Sequence, residues 1–153
     1  VKRQTVLFLC TANSARSQMA EALVNHDLGD RFEAFSAGTA PTAPRPEALR
    51  VLRELGIDHS RARSKSIDEL SGQSFDIVIT LCDGARETCP LFPGGRRREH
   101  IGFPDPARAA GSPEEVLGAF RRVRDDIRSR VERLLAAAGD GGTEADSEGS
   151  HGA

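Results

Sequence analysis

Val6, Leu7, Phe8 and Leu9 form a short apolar run that stops at Cys10 and gives way to Cys10-Thr11-Ala12-Asn13-Ser14-Ala15-Arg16-Ser17. From residue 17 to residue 28 the apolar positions Met19, Ala20, Leu23, Val24 and Leu28 recur at helical spacing, and Gly29 supplies a stop. This order of buried strand, tight loop and helix constrains the chain more than any other feature. A run apolar on consecutive residues suits a strand covered on both faces, which is the habit of parallel sheets.

The pattern repeats downstream. Residues 32–36 alternate and lead to Gly38, a second strand; Pro46 opens a helical stripe of Ala48, Leu49, Val51, Leu52 and Leu55 that ends at Gly56. Residues 66–70 suit a short helix, and residues 75–81 form the clearest strand after the first. Residues 82–100 have loop composition, with residues 101–103 as a short last strand. Ser112-Pro113-Glu114-Glu115 is a capped helix start, and Val116, Phe120, Val123, Ile127 and Val131 mark one long buried stripe. Strands alternating with helices predict an α/β layer sandwich on a parallel sheet, with ligands beyond the carboxyl ends of the strands. Cys10 and Cys82 each follow a strand, so both are expected on that rim.

With 153 residues the chain suits one domain. The expected folded unit is residues 1–138, followed by a disordered acidic Gly/Ser tail at 139–153 that carries Asp140, Glu144, Asp146 and Glu148. A formal net charge of -2 and the absence of Trp and Tyr give no basis for a nucleic-acid surface. No apolar stretch approaches the ~18 residues of a membrane span, and the first apolar run is too short for a leader. Three cysteines do not make a secreted disulfide framework. The expectation is a cytoplasmic monomer with reactive thiols and no resident metal or cofactor. The histidines, His26, His59, His100 and His151, form no compact sequence motif with the cysteines.

The chemistry concentrates at residues 10–17. A strand that turns through small residues into a helix offers successive backbone N–H groups, and the helix adds uncapped donors and its dipole. Thr11, Ala12, Asn13, Ser14, Ala15, Arg16 and Ser17 are the expected oxyanion-binding residues. Asn13 tolerates a left-handed backbone, and Arg16 brings a planar fork of donors. Cys10 among these donors is the candidate nucleophile, with Ser17 able to donate to its thiolate.

Cys10, five residues, Arg16 and Ser17 resemble the active-site loop of low-molecular-weight protein tyrosine phosphatases. Thr80-Leu81-Cys82-Asp83 and Glu87-Thr88-Cys89-Pro90 resemble more closely the thioredoxin-coupled arsenate reductases that share that fold. Ser36-Ala37-Gly38-Thr39, Phe103-Pro104-Asp105-Pro106 and Phe120-Arg121-Arg122-Val123-Arg124-Asp125 resemble them too, over roughly residues 4–135. The resemblance implies a single-domain three-layer sandwich with a central four-stranded parallel sheet. It implies arsenate as substrate, Cys10 as nucleophile, Arg16 as clamp and Asp105 as the acid for the departing hydroxyl. Cys82 and Cys89 then pass the oxidation along as successive disulfides. Thioredoxin, itself served by an NADPH-dependent reductase, is the implied electron donor.

Some members carry a potassium ion whose ligands fall on Asn13, Glu21, Ser36 and an aspartate at the position of Lys65. Here the expectation is that the Lys65 ammonium replaces the ion by pairing with Glu21 and approaching Asn13 and Ser36. The alternative function is phosphate-monoester hydrolysis through a phosphocysteine on Cys10. Against it, Asp105 is followed by Pro106 and Ala107 rather than the aromatic pair of those phosphatases, and Cys82 and Cys89 would have no role.

Overall fold

The computed structural model describes residues 2–84 and 89–140. Its elements are β1 (Gln4–Cys10), α1 (Arg16–Asp27), β2 (Phe32–Gly38), α2 (Pro46–Arg53), β3 (Phe75–Thr80), β4 (Gly95–His100) and α3 (Pro113–Asp140). Single 3-10 turns cover Ile67–Leu70 and Pro106–Arg108. The four strands form one parallel sheet in the order β2-β1-β3-β4. The α/β sandwich with a four-stranded parallel sheet is therefore the observed architecture.

Alternation along each strand sorts the core into two halves. Val6, Phe8, Ile77 and Ile79 face the three α-helices, meeting Met19, Leu23, Leu52, Phe120 and Ile127. Leu7, Leu9 and Val78 face the other way, under Leu70 and Phe92. That thinner third layer is stitched by edge-to-face ring pairs, Phe35 with Phe75 and Phe75 with Phe92, at centroid distances of 5.5 and 5.7 Å.

Helix α3 is tied to its neighbours by charge as well as by its apolar stripe. Arg121 and Arg124 both bond Glu54 at the end of α2, and Arg128 makes a two-pronged contact with Asp27 at the end of α1. The capping box at Ser112 forms as expected, Glu115 N donating to Ser112 Oγ at 3.2 Å and Ser112 N to Glu115 Oε1 at 2.8 Å. The helix runs to Asp140, two residues beyond the expected end of the folded unit at 138. The tail from 141 onward lies outside the described residues.

One strand departs from expectation. Residues 95–100, expected as loop, are β4, and residues 101–103 are not a strand. β4 borders the sheet, and its side chains alternate between half-buried Gly95, Arg97 and Glu99 and exposed Arg96, Arg98 and His100. A charged border strand carries no apolar run for periodicity to detect. The chain beyond it still bonds along the end of β3, Ile101 N to Thr80 O at 3.0 Å and Phe103 N to Leu81 O at 3.1 Å. Those bonds set Phe103 and the following Asp105 beside the carboxyl rim.

Candidate active site

The loop between β1 and α1 is shaped by where its carbonyls go. Ala40 N donates to Thr11 O at 2.9 Å, Thr42 N to Ala12 O at 3.1 Å and Arg45 N to Ser14 O at 2.9 Å. Asn13 O accepts from Gln18 Nε2 at 3.0 Å and from Ser64 Oγ at 2.6 Å. A trans peptide points its C=O and the next N–H in opposite directions, and the described chain holds no cis bond. With four successive carbonyls tied outward, the N–H groups of Ala12, Asn13, Ser14 and Ala15 turn to the inner side of the loop. Ala15, at the cap position of α1, adds no side-chain acceptor. The result is a cradle of backbone donors at a helix N-terminus, suited to a tetrahedral anion.

Two residues permit this curl. Asn13 takes the left-handed conformation, φ 51°. Gly38 closes β2 directly against the loop, and a Cβ there would overlap Thr11 O and stand 2.9 Å from Asn13 N.

Cys10 sits at the floor of the cradle, 1% exposed. Ser17 Oγ lies 2.8 Å from its Sγ, and Asn13 Nδ2 lies 2.8 Å from Ser17 Oγ. The Asn13 amide cannot be reversed, because its Oδ1 accepts the backbone N–H of Lys65 at 2.8 Å. Asn13 therefore donates to Ser17, and the Ser17 hydroxyl hydrogen is left for the sulfur. Arg16 is 3% exposed; its Nη1 donates to Phe103 O at 3.2 Å and its Nη2 lies 3.7 Å from Asp105 Oδ2. Asp105 is fixed as the cap of a 3-10 turn by accepting from Ala107 N at 3.0 Å. The Cys10 thiol, the Arg16 guanidinium and the Asp105 carboxyl thus share one rim.

Cys82 follows β3 by two residues and is fully buried. Leu81 N still donates to Leu9 O at 2.9 Å, so the chain entering Cys82 runs beside the end of β1 that presents Cys10. Cys82 is joined to Cys89 in a disulfide, with Cα atoms 5.7 Å apart, and Cys10 is a free thiol.

The expected role of Lys65 is corrected. Among the described residues its ammonium makes no hydrogen bond or ion pair with Glu21, Asn13 or Ser36. Ser36 Oγ donates to Glu21 Oε1 instead, and Lys65 steadies Asn13 through its backbone N–H. Gln18 Nε2 also lies 3.2 Å from Asn13 Oδ1, sharing its two hydrogens among that oxygen, Asn13 O and Arg63 O. The amide oxygen thereby faces two donors from within the protein, and the position at Lys65 offers no carboxylate. This set does not fit the potassium site of the resembling enzymes.

Three residues here were not anticipated. Gln18 braces Asn13 and also donates to Arg63 O at 3.1 Å. His59 Nε2 lies 2.8 Å from Gln18 Oε1, which fixes the far side of that amide. Burial lowers the His59 pKa, with Glu21 pulling it up and Lys65 pushing it down. The third is His100, expected to stand apart from the cysteines: one of its ring nitrogens lies within 4.8 Å of the Sγ atoms of Cys82 and Cys89.

The family model for low molecular weight phosphotyrosine protein phosphatase matches residues 5–141. An arsenate reductase of Bacillus licheniformis is 45% identical over 134 residues, spanning 88% of this chain and 96% of that protein. A solved arsenate reductase in the reduced state is 31% identical with a TM-score of 0.72, covering 87% of this chain and 97% of that one. A thioredoxin-dependent arsenate reductase of Corynebacterium glutamicum is 28% identical with a TM-score of 0.58, covering 88% of this chain and 63% of that one. No helix of the described residues is long and apolar enough to cross a membrane.

Proposed function

The chain belongs to the arsenate reductases of the low-molecular-weight phosphatase fold, and from that premise we propose that its thiols act in the order Cys10, Cys82, Cys89. The protein is an enzyme that reduces arsenate to arsenite by cysteine redox chemistry.

Arsenate enters the cradle of N–H groups, and Arg16 holds two of its oxygens. The Cys10 thiolate, accepting from Ser17, attacks arsenic. Asp105, in its protonated form, delivers a proton to the departing hydroxyl, which leaves as water. Cys82 then attacks Cys10 Sγ. The sulfur–arsenic bond breaks with its electron pair on arsenic, so As(V) becomes As(III) and arsenite departs. A disulfide between Cys10 and Cys82 remains. Cys89 attacks Cys82, releases the Cys10 thiolate and leaves a disulfide between Cys82 and Cys89. A dithiol reductant opens that bond by two exchanges and carries the oxidation away. Thioredoxin, served by an NADPH-dependent reductase, is the proposed reductant, supported by the thioredoxin-dependent relative.

The observation that carries this reading is the Cys82–Cys89 disulfide beside a free Cys10, the state proposed to follow release of arsenite. Arsenate-dependent NADPH consumption with thioredoxin and its reductase tests it. Sustained turnover is expected for the wild type and its loss for each Cys→Ser variant. A Cys89→Ser protein that keeps normal steady turnover sinks the relay. The same cradle with Cys10, Arg16 and Asp105 also suits phosphate esters, so slow phosphatase turnover is expected to survive in Cys82→Ser.

A further inference from the structure

Beyond the anion cradle, the described residues gather one other set of soft donors. Cys82 Sγ, Cys89 Sγ and a ring nitrogen of His100 all lie within 4.8 Å of one another. They come from three places in the chain: the end of β3, the segment after it and the end of β4. The pairing of β3 with β4 brings them together, since Thr80 and His100 are register partners.

The imidazole is held in place. Thr80 Oγ1 lies 2.7 Å from His100 Nδ1, which fixes the ring and leaves Nε2 as the nitrogen open to a metal. A buttress of this kind, on the nitrogen that does not ligate, is what metal-binding histidines commonly have. Nε2 turns toward Gly102: a Cβ built there would stand 3.3 Å from Nε2 and 3.1 Å from Cys82 O. The missing side chain keeps this corner open. A groove of about 470 Å³, lined in part by Cys89, Pro90, Phe92 and His100, gives access from solvent. Two charged residues also line it, and both are engaged: Arg98 donates to Phe92 O at 3.2 Å, and Glu99 accepts from Arg97 at 2.7 Å.

We propose that the reduced Cys82 and Cys89, with His100, form a redox-gated site for a thiophilic divalent cation of the zinc class. Two thiolates and one imidazole are three of the four ligands such a cation takes, and water from the groove supplies the fourth. Binding exchanges two thiol protons for the cation. In the disulfide the sulfurs are bonded to each other and hold no metal, so oxidation of the pair ejects it. The loaded site blocks both resolving thiols and so inhibits the enzyme reversibly. This rests on the reading that the pair cycles between dithiol and disulfide.

The test uses Cys10→Ser protein, reduced with a phosphine and titrated anaerobically with Cd²⁺, read by sulfur-to-cadmium charge-transfer absorption. About one equivalent is expected to bind, with Zn²⁺ protecting both remaining thiols from alkylation. The oxidised protein is expected to bind none. His100→Ala is expected to weaken binding at least ten-fold and His100→Cys to restore it. Thr80→Val is expected to weaken it by about ten-fold, at the lower end for loss of a buttressing partner. Affinity unchanged in His100→Ala, no binding by the reduced protein, or binding that requires Cys10 would each overturn the proposal. Failure of the relay shows separately, as the absence of a disulfide between Cys82 and Cys89 after turnover by the wild type, because the titration uses chemically reduced protein.

Discussion

Ser17 Oγ stands 2.8 Å from Cys10 Sγ, placed to donate its hydrogen to the sulfur. Asn13 supports that direction: its amide nitrogen donates to one lone pair of Ser17 Oγ, and its amide oxygen is held by Lys65 N–H. Removing the hydroxyl takes away a hydrogen bond that the sulfur would accept as it reacts as a thiolate, and a bond to such a charged group is worth about 1.5–3 kcal/mol. Ser17→Ala is expected to slow alkylation of Cys10 at neutral pH by about ten-fold or more, measured by mass spectrometry on reduced protein. Unchanged alkylation would show that the hydroxyl does not serve the thiolate.

Glu132 and Asp27 form a carboxyl pair between α3 and α1. Burial first, then the Asp27 partner, raises the Glu132 pKa to about 8. Asp27 falls to about 2, as bonds from Glu132, Arg128 and His26 outweigh its own burial. Between about pH 4.5 and 8 the unfolded chain has released the Glu132 proton and the folded one keeps it, so this group's contribution to stability falls as pH rises. Glu132→Gln is expected to raise the melting temperature at pH ~8 and to change it little near pH 5. An equal effect at both values would remove the shared proton from the account.

His59 gives the opposite slope. Burial is the main cause that lowers its imidazole's pKa. As pH falls below about 6.5 the unfolded chain takes up a proton more readily than the folded protein does, and stability drops. His59→Gln, which can still donate to Gln18, is expected to flatten the fall in melting temperature between pH ~7 and ~5. Identical slopes for variant and wild type would contradict the assignment.

Gly38 tests the packing of β2 against the loop. Gly38→Ala forces a methyl group onto Thr11 O, a backbone atom with no rotamer to yield. A loss of about 1–3 kcal/mol in stability is expected, with a larger proportional loss in phosphate affinity, read by chemical denaturation and calorimetry. Retained phosphate affinity would mean that the cradle tolerates displacement of its rear wall.

Much of this architecture is readable along the chain because apolar residues obey a period. β1, β3, α1 and α3 carry their own burial pattern, and Ser112 announces its helix by capping chemistry. The cradle is readable for a related reason: Cys10, Asn13, Arg16 and Ser17 are close in sequence as well as in space. β4 escapes because arginines and a glutamate hide a border strand. Gln18 and His59 escape because their contact spans 41 positions, with no local spacing to betray it. His100 escapes with β4, since only the strand's register carries it to Cys82. Lys65 misled because a side chain was expected to do what a peptide N–H does.

The outward tethering of Thr11, Ala12, Asn13 and Ser14 has one more consequence. A loop whose shape is set by folding meets every incoming anion with the same arrangement of donors, and it measures only a tetrahedron of oxygens and its charge. Phosphate satisfies that measure as well as arsenate, so the two are expected to compete for entry on nearly equal terms. In the proposed relay, selectivity is then exercised after binding: pentavalent arsenic accepts an electron pair from a thiol-bound intermediate under conditions in which pentavalent phosphorus does not.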